Sequence, residues 1–309
     1  MSNQTSPLTS SKFVRLLKND MREVSENRFK DLPKQGEKFY RVLDSDSASE
    51  EFYDVGGLPD VPEFNGKLSY AGYAPGYHVK IEPKEFALGV QTERKFTDDN
   101  KWGVLRSHAT NLVDALGRTR EKKRARVFNY AFSASFDFME SEEGLSLCNS
   151  SHTTKSGTST SSGFDNAGTS TLSKTSVAAT WLAMRGFRDQ DSERIDMDDS
   201  WGLIVPDALG DTAEEIVGTK KGLGDANHTI NVQEGRYNVE RYMRLDDYDT
   251  NNWFMVNWTL MKKFLIWIDR ISADPNTTVD FETFAVKHSI YARFGYGFKD
   301  WRWIYGHLV

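Results

Sequence analysis

Cysteine is almost missing from this sequence: Cys148 is the single one in 309 residues. That excludes an internal disulfide framework and suits a reducing cytoplasm. A lone cysteine is more often a small apolar core residue than a nucleophile. Long apolar runs are missing too. No stretch approaches roughly 18 uninterrupted apolar residues, so no membrane span is expected. The polar, Ser/Thr-rich N-terminus lacks the apolar core of a signal peptide. There is no basic excess: 39 Lys and Arg against 45 Asp and Glu leave a net charge of -6. A free nucleic-acid binder usually carries a basic domain, so sequence-specific DNA or RNA binding is not expected. Apolar residues are scarce, at 38%, with a mean hydropathy of -0.59. Aromatics nevertheless reach 13%. A lean composition built on a few large rings fits either a polar globule with loose ends or a subunit whose arms and loops bury themselves on neighbours.

Motifs that carry chemistry are absent as well. The histidines, His78, His108, His152, His228, His288 and His307, form no i, i+3 or i+4 pair, and there is neither H-E-x-x-H nor C-x-x-C. Asp246, Asp247 and Asp249 resemble part of a calcium loop. The stretch lacks the glycine at position six and the closing bidentate glutamate, so an acidic turn is the expectation. Gly222 and Gly224 do not complete a phosphate-binding loop, Gly295 and Gly297 have no third glycine, and no G-x-S-x-G occurs. No catalytic, cofactor-binding or metal-binding residue is assigned and no cofactor is expected. The failed search favours a structural protein.

What is present begins at the C-terminus. Tyr291, Phe294, Tyr296, Phe298, Trp301, Trp303 and Tyr305 crowd the last nineteen residues, with Arg293, Lys299 and Arg302 between them. Aromatics hold much of core and interface energy, while chain ends fray unless tied down. This end must therefore be docked, in its own core or on another subunit.

Apolar periodicity places an amphipathic helix over 12–29, packed on its own domain or on a neighbour. Breakers make 31–66 irregular, and residues 1–11 are expected to be disordered. Strand alternation follows at 67–81 and 86–96, which predicts a long polar hairpin needing a surface to lie on. From Asn100 to Ala131 the spacing predicts one helix of about 30 residues, well above the mean length, with Gly117 its weak point. Residues 149–176 are a Ser/Thr/Gly tract, expected to be a loop or partly disordered. A helix begins near Ser173. Trp201–Val205 is a short buried strand stopped by Pro206, and Asp207 can cap a helix over 208–217. Residues 220–228 read as loop, 229–245 and 252–258 as strands, and 260–271 as strand or helix. The order is mixed α+β, without regular βα alternation.

The middle of the long helix is basic in six of nine residues: Arg118, Arg120, Lys122, Lys123, Arg124 and Arg126. This is either a contact with phosphates or an acidic partner, or a solvated face.

Two stretches carry a family resemblance. One is Trp201-Gly-Leu-Ile-Val-Pro-Asp-Ala-Leu-Gly-Asp-Thr-Ala-Glu-Glu-Ile216; the other is Ala292-Arg-Phe-Gly-Tyr-Gly-Phe-Lys-Asp-Trp-Arg-Trp-Ile-Tyr-Gly306. With the order of elements, they resemble the major capsid protein of tailed bacteriophages, the HK97-type fold, and within it the Mu-like major head subunits. The resemblance implies an N-terminal arm (1–49), an extended E-loop (50–97), and a peripheral domain with the spine helix (98–148). It further implies a mainly axial domain with the Ser/Thr-rich loop (149–245), then return strands and a closing segment (246–309). It also implies pentamers and hexamers in an icosahedral shell around double-stranded DNA, assembled in the host cytoplasm, with portal and scaffold or decoration proteins as possible partners and no membrane. Tyr70, Tyr73 and Tyr77 are expected as loop contacts and Arg118 to Arg126 as a charged contact. A nanocompartment shell of the same fold and a hydrolase with an unrecognised site are the alternatives.

Overall fold

A computed structural model describes residues 10–55, 60–70, 72, 75–99, 101–218, 230–280 and 282–309, with side chains from Leu17 onward except at 55, 75, 97 and 98. The helices are α1 (Ser10–Lys30), α2 (Lys95–Asp98), α3 (Trp102–Asn129), α4 (Lys174–Met184), α5 (Asp207–Gly218) and α6 (Trp258–Phe264). The strands are β1 (Arg41–Asp44), β2 (Glu50–Val55), β3 (Pro75–Ile81), β4 (Lys84–Thr92), β5 (Met139–Ser141), β6 (Ala167–Gly168), β7 (Trp201–Val205), β8 (Asn238–Arg241), β9 (Trp253–Asn257), β10 (Leu265–Val279), β11 (Val286–Phe298) and β12 (Ile304–His307). They form two compact units. The first comprises Met1–Lys34, Pro83–Lys122 and Asp269–Phe294, the second Gln35–Glu82, Lys123–Ile268 and Gly295–Val309.

In the first unit the apolar stripe of α1 lies on its own chain. Leu17 and Met21, four residues apart and so on one helix face, pack with Leu105, Ala109 and Val286. Ion pairs from Arg28 to Asp114 at 2.7 Å and from Arg106 to Asp20 at 2.8 Å flank the contact. Of the two readings of this helix, packing on its own domain is the one observed. Gly117 does not interrupt α3. A Cβ at that position would stand 2.8 Å from Leu32 Cδ1, so the glycine makes room for the chain leaving α1. Antiparallel to β11, β4 runs from Val286↔Thr92 to Phe294↔Lys84, and Phe86 stacks on Phe294 with centroids 4.5 Å apart.

That pairing corrects the expected hairpin. β3 and β4 are not partners: β3 pairs with β2, from Glu50↔Ile81 outward, and with β5. Pro83 between them has no N–H for a ladder, and its carbonyl accepts from Arg293 Nε at 3.2 Å. The antiparallel pair is therefore β2–β3.

In the second unit a five-stranded sheet runs β6-β12-β9-β7-β8. Every residue of β7 and β9 is buried, which explains their continuous apolar sequence. β7 and β8 are parallel, joined through α5 as parallel neighbours require. The stretch 260–271, open between two readings, is both: α6, capped by the Asn257 side chain accepting from the Leu260 N–H at 3.0 Å, and then β10. Within 229–245, only Asn238–Arg241 is strand among the described residues. The N-terminus of α5 is not capped by Asp207. The Asp246 carboxylate accepts from the N–H groups of Asp207 at 2.7 Å and Ala208 at 3.2 Å, placing an anion at the positive end of the helix dipole. Asp247 pairs with Arg244 at 3.0 Å and Asp249 accepts from the Asn251 N–H. The acidic turn thus spends its carboxylates on its own chain.

Candidate assembly surfaces

Ten consecutive residues beyond β2, 61–70, are all exposed. They include Val61 at 95%, Phe64 at 71%, Leu68 at 68% and Tyr70 at 91% exposure. They alternate with the polar side chains Glu63, Asn65, Lys67 and Ser69. Of the three tyrosines expected as contacts, Tyr70 belongs to this run and Tyr73 lies outside the described residues. Tyr77 is half-buried, its hydroxyl 2.7 Å from Thr153 Oγ1, so it is engaged with its own chain. Val61 and Phe64 escaped sequence reasoning because Pro62 and Gly66 break any period around them.

The basic stretch of α3 divides in two. Arg120 makes a two-pronged pair with Asp269, at 2.6 and 3.2 Å, with both side chains buried. Its guanidinium lies over Phe29 and Phe294. Arg124 pairs with Glu37 at 2.6 Å and stacks 4.8 Å above the Trp267 ring. Lys123 and Arg126 converge on Asp137 at 3.2 and 2.6 Å. These four have acidic partners within the subunit. A helix turns through 3.6 residues, so a nine-residue run cannot keep all its charges on one face. Arg118 and Lys122, one turn apart, are the exposed pair.

The Ser/Thr/Gly tract is a loop carrying the short strand β6 and leading into α4, built on buried polar groups. Asn166, fully buried, accepts from the Asn149 N–H at 2.8 Å and donates to the carbonyls of Leu147 and Ile304 at 2.9 and 3.2 Å. Composition predicts a tract unable to build a core. What it builds is a hydrogen-bonded seat for the C-terminus. Trp303 packs edge-on against Phe128 of α3, with centroids 6.2 Å apart, and Trp301 packs on Phe164 and Phe187. The aromatic end is thus docked in its own subunit.

Among the described residues no group of three or more His, Cys, Asp or Glu could hold a metal, and no helix is long and apolar enough to cross a membrane. Burial pushes the Cys148 thiol well above its ordinary range, which suppresses the reactive thiolate.

The subunit is thus mixed α+β with a seated C-terminus and an exposed stretch at 61–70. The comparisons with known proteins agree. The family described as phage capsid protein matches residues 78–306, well over half the chain, and the protein belongs to that family. Its fold is the HK97-type capsid fold, and its role is that of a phage capsid protein. The capsid of a native GTA particle superposes with a TM-score of 0.54 at 11% identity, covering 89% of this chain and 90% of that one. The mature capsid of bacteriophage PhiM1 gives 0.53 at 7% identity, covering 89% and 86%. The bacteriophage JBD30 capsid gives 0.52 at 15% identity, covering 69% and 91%. At these identities the structural likeness is one of fold. No curated protein matches the chain. A phage capsid family does not favour the nanocompartment or hydrolase alternatives.

Proposed function

We propose that the protein assembles with copies of itself into pentamers and hexamers of a closed icosahedral shell around packaged double-stranded DNA. It works by assembly rather than catalysis. The observation that carries this reading is the strip 61–70, whose apolar side chains stand in solvent. The E-loop is assigned to residues 50–97, and Tyr70 to its contacts. Arg118 and Lys122 form the charged contact, with an acidic patch of a neighbour or with phosphates, which bind basic side chains without regard to sequence. The peripheral domain with the spine helix is assigned to residues 98–148, and the mainly axial domain to residues 149–245. The site of action is the virion, with assembly in the host cytoplasm. Portal and scaffold or decoration proteins are further partners.

Electron microscopy of the purified protein tests this directly. Capsomers or closed shells are expected; a stable monomer at high concentration would overturn the reading.

A further inference from the structure

The exposed stretch 61–70 holds the single Asn-Gly pair of the sequence, Asn65-Gly66. The chain bends over residues 65–67, and both members of the pair are exposed. Gly66 has a φ of +95°, and a Cβ built on it would meet nothing within 4 Å. An L side chain is disfavoured at that φ, which suits glycine to the bend. Among the described residues, neither the Asn65 side chain nor the Gly66 N–H has a hydrogen-bond partner. Asparagine is one of the thermally labile residue types, because the backbone nitrogen of the next residue can attack its side-chain amide. Other asparagines are held away from that reaction. Asn166 is fully buried and its amide nitrogen donates to the Leu147 and Ile304 carbonyls. The Ala167 N–H, which would have to attack it, donates to Asp165 Oδ1 at 3.0 Å. Asn257 is also fully buried and donates to Asp198 Oδ1 at 2.8 Å, while the Trp258 N–H donates to the Ser200 carbonyl at 2.9 Å.

We infer that Asn65 is a site of spontaneous deamidation. The Gly66 backbone nitrogen attacks Cγ of Asn65. A C–N bond forms and the Cγ–Nδ2 bond breaks. The amide nitrogen leaves as ammonia, carrying the proton that Gly66 loses, and a cyclic succinimide remains. A water molecule then opens the ring. Cleavage between Cγ and the Gly66 nitrogen gives aspartate. Cleavage between the Asn65 backbone carbonyl carbon and that nitrogen gives isoaspartate, with the main chain running through Cβ and Cγ. Nothing is oxidised or reduced, and water is the only co-reactant. Closing the ring requires the Asn65 side chain to swing over its own backbone. An exposed bend with no hydrogen bonds to break leaves it free to do so, whereas at Asn166 and Asn257 the same motion would leave buried groups unsatisfied. Either product adds a carboxylate to a stretch that already follows Asp60 and contains Glu63. Isoaspartate also lengthens the main chain by a carbon. The stretch is the one assigned above to contacts between copies, but the reaction is the chain's own and does not rest on that reading.

Peptide mapping by mass spectrometry tests this on the purified full-length chain, held at neutral and at mildly alkaline pH. The peptide carrying Asn65 should give two new forms of equal mass, each heavier than the parent peptide by the exchange of NH2 for OH. Their yield should rise with pH, because the attacking nitrogen must lose its proton. The peptides carrying Asn166 and Asn257 should keep their amides. Gly66→Ala places a side chain beside the attacking nitrogen and should slow the conversion several-fold, with circular dichroism unchanged. In urea the Asn65 peptide should convert at close to its native rate, since the fold does not shield it, while the Asn166 and Asn257 peptides should lose their protection. An Asn65 peptide that keeps its amide, or converts no faster than Asn166 and Asn257 in the native chain, overturns the inference. Equal rates in the parent and in Gly66→Ala also overturn it, as does a native Asn65 rate far below that in urea.

Discussion

The imidazole of His152 lies flat on the indole of Trp301, with ring centroids 4.1 Å apart and planes 6° from parallel. Both ring nitrogens have oxygen partners: Nδ1 stands 3.0 Å from Glu143 Oε1 and Nε2 stands 3.1 Å from Asn166 Oδ1. The Asn166 amide orientation is fixed by its other bonds, since its oxygen already accepts from a backbone N–H and its nitrogen donates to two carbonyls. A loop with hardly any apolar side chains is therefore ordered by a polar network whose lid is an aromatic ring from the far end of the chain. Such networks are strong only while every member is satisfied.

Asn166→Ala should expose that dependence. It leaves the Asn149 N–H and the Leu147 and Ile304 carbonyls without their side-chain partner. An unsatisfied buried group costs about 1–3 kcal/mol, and with partial relief by water the variant should lose about 2–4 kcal/mol. Urea unfolding followed by tryptophan fluorescence measures this. A loss below about 0.5 kcal/mol would mean that the loop is held by something other than this network.

Asp269→Ala should be more damaging than its place in a long strand suggests. It removes the carboxylate paired with Arg120, with both side chains under 10% exposed, and leaves a buried cation with neutral contacts such as the Ser272 carbonyl. Breaking a buried pair from one side costs about 3–5 kcal/mol, whereas replacing both partners by apolar groups of similar volume is often nearly neutral. The double variant Arg120→Met with Asp269→Leu should recover most of the loss in thermal unfolding. A double variant no more stable than Asp269→Ala would show that the pair itself, and not the stranded charge, sets the cost.

Arg118→Ala combined with Lys122→Ala should behave oppositely. Neither residue is buried, and exposed substitutions of this kind stay within about 0.5 kcal/mol of the parent. If the pair meets an acidic neighbour or phosphate, assembly should weaken at low salt, and the difference from the parent should shrink as salt screens the contact. Light scattering across a salt series checks this. Equal assembly at every ionic strength would assign the pair to a solvated face.

The fold was legible where periodicity is strong and local. The long helix and the amphipathic first helix follow from apolar spacing, and the end of β7 follows from Pro206. The docked terminus follows from the cost of leaving so many rings in water. Strand pairing was not legible. β3 and β4 are neighbours in sequence, yet β4 takes β11, some two hundred positions away, and no local pattern encodes a partner at that range. The capping of α5 by Asp246 in place of Asp207 is hidden for the same reason. In the basic stretch, charge counted along the chain ignores rotation around the helix. Only the acids at 37, 137 and 269 reveal which cations are spent inside.

His307 gives the C-terminus a predictable response to acid. Its ring stacks on Trp253 with centroids 4.1 Å apart. Nδ1 accepts from the Ser170 N–H at 3.2 Å, so the single proton sits on Nε2, which donates to Thr180 Oγ1 at 2.8 Å. Burial lowers its pKa from the ordinary 6.5 to about 4, because a desolvated imidazolium is disfavoured. The unfolded chain binds a proton near 6.5 and the folded chain only near about 4. Between those values the unfolded state holds more protons, and stability falls as pH is lowered. Above the window neither state is protonated at this ring, and below it both are, so the contribution is flat on either side. His307→Gln removes the titration. The stability difference between parent and variant should therefore be constant above pH 6.5 and narrow steadily down to about pH 4. Denaturant melts at half-unit steps through this range decide the matter: a difference that does not change with pH would show that the ring is not the group whose protonation unseats the terminus.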